Sequence, residues 1–94
     1  MNQETIKQVC EYFTNKHLKS FTEAFKNDLF GFESDYINLQ QTILLNRIQR
    51  DILEQINRSD AIGEERAYYL SVLDKCILDC KKESDLFVSK LDRI

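Results

Sequence analysis

Three cysteines and a single histidine are the residues of this chain best suited to do chemistry. Cys76 and Cys80 stand one helical turn apart, a spacing that can bring two thiolates to one metal ion, and Cys10 could join them from another helix. Structural zinc wants four ligands, usually on Cys-x-x-Cys knuckles at turns, and the chain has no such knuckle. The expectation is therefore reduced thiols that pack as small apolar side chains, with no metal and no cofactor. An odd number of cysteines inside helical patterns also points to a reducing compartment, the cytoplasm. Acidic residues are plentiful, yet no Glu-x-x-His pair occurs, so the di-iron arrangement of helical bundles lacks its ligands. Neither a glycine-rich phosphate loop, nor a nucleophile elbow, nor a Ser/His/Asp set is readable, and no catalytic centre is expected.

The histidine is His17, within Lys16-His17-Leu18-Lys19-Ser20. These five residues resemble the phosphorylatable segment of histidine phosphotransfer domains, which are also small helical bundles. The resemblance implies an exposed imidazole that receives a phosphoryl group from a partner's aspartate. In that family a lysine follows the histidine at the third position, with glycine after it. Here Lys19 comes one position sooner, and bulky Phe21 stands where the family needs a small residue. The reading from the residues themselves is a polar side chain tucked into or beside the apolar seam of its helix.

Arg47, Arg50 and Arg58 share one helix face and could form a strip for nucleic acid, but Asp51 and Glu54 interrupt it at i,i+4 spacing. A salt-bridged, solvated face is expected in place of a nucleic-acid site. The net charge of −3, finely mixed in sign, likewise argues against polyanions and anionic membrane surfaces as partners. Met1-Asn2-Gln3-Glu4 does not open a signal peptide, and no apolar run approaches the roughly 18 residues that read as a membrane span.

The elements that must carry these residues are helices. With no proline, two glycines and many Leu, Ile, Lys, Glu and Gln, the chain offers little punctuation for sheets. Ninety-four residues make one domain, 1–94, whose modest core leaves self-association a natural supplement. An all-α, up-down-up bundle of three long antiparallel helices is predicted, over roughly residues 3–30, 35–58 and 64–93.

In the first helix Ile6, Val9, Cys10, Phe13, His17, Phe21 and Ala24 fall on one face. Ser20-Phe21-Thr22-Glu23 matches a capping box, so a break near Ser20, giving four helices, is the variant. Gly31 is the clearest stop signal, and Ser34 or Asp35 can cap the second helix. There Ile37, Leu44, Leu45, Ile48, Ile52 and Ile56 share a face. Ser59 or Asp60 can cap the third helix, where Leu70, Leu73, Ile77, Cys80, Ser84, Phe87, Leu91 and Ile94 form a heptad seam.

Apolar residues remain beyond what those seams use. Tyr36, Leu39 and Ile43 line the far side of the second helix, the aromatics Phe25, Phe30 and Phe32 gather at the corner before it, and Tyr68, Tyr69 and Val72 lie near the start of the third. A helical protein-interaction module without catalytic activity is the expectation, self-associating as a homodimer through Phe30, Phe32, Tyr36, Leu39 and Ile43. Two roles suit such a module: an immunity-like or antitoxin-like protein that neutralises its partner, or an adaptor in a larger assembly.

Overall fold

The structure is a computed structural model and describes residues 1–26 and 31–93. Three helices, α1 (Gln3–Glu23), α2 (Ser34–Arg58) and α3 (Gly63–Val88), pack against one another along their length, making an all-α three-helix bundle of 50 × 17 × 16 Å. Among the described residues there is no β-strand, and no helix is long and apolar enough to cross a membrane.

The core is laid down by the periodic residues. Ile6, Cys10 and Phe21 from α1 meet Ile37, Leu44, Ile48, Ile52 and Ile56 from α2 and Tyr69, Leu73, Cys80 and Val88 from α3. Four of the five isoleucines of α2, Ile37, Ile48, Ile52 and Ile56, are each at most 1% exposed, at successive steps of eleven, four and four, so their stripe is the axis of the bundle. On α3 the buried line is Tyr69, Leu73, Cys80, Ser84 and Val88, while Leu70, Ile77, Phe87 and Leu91 are half-buried at its edge. The seam is thus turned slightly from the predicted one because two helices, not one, must be covered. Tyr69, read as surplus in the sequence, is a core residue at 2% exposure.

Helix ends differ from the sequence expectations in informative ways. Asn2 caps α1, its Oδ1 accepting from the Thr5 N–H at 2.9 Å. The helix runs unbroken through Lys19-Ser20, so the four-helix variant is not what forms. Ser20-Phe21-Thr22-Glu23 ends a helix instead of starting one: the Ser20 and Phe21 carbonyls both accept from the Ala24 N–H. Residues 24–26 form a turn, so α1 stops well short of residue 30, and positions 27–30 lie outside the described residues.

Neither Ser34 nor Asp35 caps α2; both are already helical, after Glu33 in extended conformation. At the other end Ser59 and Asp60 close α2 in place of opening α3. The Ser59 hydroxyl donates to the Ile56 carbonyl, and Asp60 takes the left-handed conformation (φ 57°) that usually falls to glycine after a helix. Helix α3 ends at Val88, five residues before the predicted boundary, and Ile94 lies outside the described residues.

Gly31 is required for a reason that the helix-stop reading did not contain. It is buried at φ +89°, and a Cβ there would stand 3.0 Å from the Asp92 carbonyl oxygen. The Phe32 N–H donates to that same carbonyl at 2.9 Å, and Phe32 and Arg93 form a single parallel bridge. The segment after α3 therefore lies directly on the chain entering α2.

Candidate functional site

An open groove of about 520 Å³ lies between α1 and α3. Its α1 wall carries Lys7, Cys10, Glu11, Thr14 and Asn15, and α3 supplies Tyr68, Val72, Lys75, Cys76, Asp79, Cys80 and Glu83. The two helices run in the same direction. The Tyr69 hydroxyl reaches the Met1 carbonyl at one end, and the Phe21 and Phe87 rings meet at 5.6 Å toward the other. Tyr68 and Val72, off the seam in the sequence, are walls of this groove.

All three cysteines converge here, from positions 66 and 70 residues apart in sequence for the α1–α3 pairs. Cys10 and Cys80 are buried, whereas Cys76 is half-buried and opens into the groove. The Thr14 hydroxyl lies 3.1 Å from Cys76 Sγ. Hydrogen bonding from Cys10, assisted by Thr14, holds the Cys76 thiol below the ordinary thiol range, against the opposing effects of burial and the Asp79 charge. The Cys10 thiol, donating to Cys76 and buried, is correspondingly pushed far up. Cys80 is pushed up to about 12 by burial and by the neighbouring Cys76 and Glu83. The cysteines are free, and among the described residues no group of His, Cys, Asp and Glu is placed to hold a metal ion.

His17 sits on the opposite seam, between α1 and α2. It is 7% exposed, lies beside the Phe13 ring, and its Nε2 stands 2.6 Å from Asp51 Oδ2. The other Asp51 oxygen accepts from Arg50 Nε at 3.1 Å. Partial burial pushes the Asp51 carboxyl up, but the hydrogen bonds from His17 and Arg50, with their charges, outweigh it and leave the group below its usual range. This places His17 where the residue-based reading had it, as a polar group in the seam, and leaves its imidazole turned toward its own chain's Asp51.

By its helical spacing Asp51 belongs to an exposed charged face with Arg47, Arg50, Glu54 and Arg58. Only the Glu54–Arg58 pair forms at the predicted i,i+4 spacing, at 2.6 Å. Asp51 turns inward instead, because the sole imidazole of the chain lies buried opposite it. The register between two helices creates that partnership, and no signal within α2 could have announced it.

Of the proposed interaction surface, Phe30 lies outside the described residues. Phe32 and Ile43 are half-buried, Tyr36 is 37% exposed and Leu39 54% exposed. Phe32 and Tyr36 are engaged within the molecule. Phe25, itself buried, packs against the rings of Phe21, Phe32, Tyr36 and Phe87 with centroids 4.9–5.8 Å away. The Tyr36 hydroxyl donates to the Ala24 carbonyl at 3.1 Å, satisfying a backbone acceptor freed by the end of α1. An aromatic cluster of the same chain thus covers Tyr36, with Leu39 and Ile43 left outside it.

Comparison of the chain with protein-family models, with curated proteins and with solved structures returns no match.

Proposed function

We propose that this chain is a helical protein-interaction module that self-associates, and that its docking face is the α1–α3 groove. The observation carrying this reading is the layout of the groove. Apolar Val72, the Tyr68 ring and the cysteines line it between charged rims, an arrangement that suits the apolar stripe of another helix.

The charges along the rims favour a second copy of this chain as the occupant. Because α1 and α3 are parallel, Lys7 and Lys75 lie toward the Met1 end, while Asp79 and Glu83 lie toward the Phe87 end. A copy related by a two-fold axis across the groove sets the basic end of each chain against the acidic end of the other. Pairing two three-helix bundles in this way also adds buried surface to a chain whose size limits its own core. The corner around Phe32 and Tyr36 contributes less, since those rings already pack on Phe25.

Sedimentation velocity over a wide concentration range tests the proposal. A dimer that weakens in Lys75→Glu and recovers in Lys75→Glu/Glu83→Lys supports it, the double variant restoring opposite charges at positions 75 and 83 across the two-fold axis. A strict monomer at high concentration overturns self-association. The odd number of cysteines, set within helical apolar patterns, supports a reducing, cytoplasmic site of action. Neutralising a toxic partner and serving as an adaptor are both roles open to such a module.

A further inference from the structure

We propose that Cys76 is a thiol–disulfide exchange site, whose sulfur, opening into the α1–α3 groove beside Thr14 and Cys10, attacks small non-protein disulfides and holds the resulting mixed disulfide in that groove. The inference concerns the isolated chain and stands whether or not the groove also binds a second copy.

Three features of the site support it. Cys76 is the one cysteine of the cluster that is half-buried and not buried, so a reagent can reach it from the groove. A thiolate has no proton to give, so in that state the Thr14 hydroxyl, 3.1 Å away, donates to it, and Cys10 lines the groove alongside. These contacts lower the thiol's proton affinity, and the thiolate is the attacking species. The groove of about 520 Å³ has room for the group left on the sulfur. Around it Lys7 and Lys75 face the carboxylates of Glu11, Asp79 and Glu83, and among these Asp79 acts on the thiol, in the raising direction.

The step balances without further reagents. The Cys76 thiolate attacks one sulfur of the disulfide R–S–S–R, its S–S bond breaks, and a new S–S bond joins Cys76 to one R–S group. The other R–S leaves as a thiolate and takes up the proton that Cys76 has lost. Cys76 is oxidised and the small disulfide is reduced. Cys10 and Cys80 line the same groove but are buried and have raised thiols, so they react more slowly than Cys76.

The test is reaction of the full chain with hydroxyethyl disulfide near pH 7, read by intact mass and peptide mapping, at dilution and at high concentration. One adduct, on Cys76, is expected, forming about fivefold faster than at the same cysteine in the urea-unfolded chain, because thiolate fraction rises more than nucleophilicity falls. The rate should climb with pH through a midpoint below that of the unfolded chain. Thr14→Val should move this midpoint up with α-helical content unchanged, and Cys80→Ala should leave it in place. First reaction at Cys10 or Cys80, or a native rate no faster than the unfolded one, would overturn the assignment. Sedimentation decides self-association separately, so either idea can fail alone.

Discussion

At the residue scale, the His17–Asp51 pair shows how a position gains its chemistry from what faces it. Asp51 would be an ordinary surface carboxylate on an isolated α2; across from buried His17 it becomes half of an inter-helix link. Its carboxyl is depressed in the fold relative to the unfolded chain, whose aspartates titrate at about 3.9. Its contribution to stability is therefore fully present above that value and is lost as pH falls through the lowered one. Denaturant melts from pH 7 to pH 2 should show the wild type losing more stability at the acid end than Asp51→Asn. At neutral pH the same variant should cost about 1.5–3 kcal/mol, the range for a hydrogen bond to a charged partner.

Gly31 makes a second prediction at this scale. Gly31→Ala adds a Cβ against the Asp92 carbonyl and forces an L residue to φ +89°, so a loss of about 1–3 kcal/mol is expected in thermal unfolding. If the cost arises from that close approach as well as from φ, hydrogen exchange at the Phe32 amide should accelerate in the variant, since this N–H is bonded to the same carbonyl.

At the element scale, α2 is the organiser. It lies against both neighbours, and Ile48, Ile52 and Ile56 on it are fully buried. Ile52→Ala should cost about 2–5 kcal/mol by equilibrium denaturation, the range for emptying a packed core site. Polar residues set the register of α2 against α3. Gln41 Nε2 donates to Ser84 Oγ at 3.1 Å and to Asp85 Oδ1 at 2.7 Å, while Ser84, fully buried, donates to the Lys81 carbonyl. Ser84 stood in the sequence as a gap in an apolar heptad seam; in the bundle it is the acceptor that Gln41 needs. Gln41→Leu removes a donor that Ser84 can do without, since its own proton is already bonded, so a loss of about 1 kcal/mol is expected.

At the scale of the whole molecule, the unequal packing of three helices leaves one side open. Helix α2 fits closely to both partners, and the groove remains between α1 and α3. If that groove both docks a second copy and holds a mixed disulfide at Cys76, the two must compete. Chain loaded with hydroxyethyl disulfide should then sediment as monomer at concentrations where the reduced chain is dimeric, and a thiol reductant should restore the dimer. Equal sedimentation of the two forms would place self-association on another face.

The amino-acid sequence alone determined that the chain is helical and where the buried stripes of α1 and α2 run, because periodicity and the rarity of glycine and proline are local properties; whether α1 breaks at Ser20 and the turn of the α3 seam toward Tyr69 and Val88 were left to the packing. It also marked Ile37, Leu44, Ile48, Ile52 and Ile56 correctly, since a strongly one-sided helix has one way to face a core. Helix ends were less legible. The capping-box pattern at Ser20 and the glycine at Gly31 are compatible with several backbone roles, and the aromatic cluster and the Asp92 carbonyl chose between them. The meeting of Cys10 with Cys76, of His17 with Asp51 and of Gln41 with Ser84 belongs to the tertiary structure. Each depends on how far one helix slides and turns against another, and that is decided by the fit of entire faces, not by the spacing of residues along any one of them.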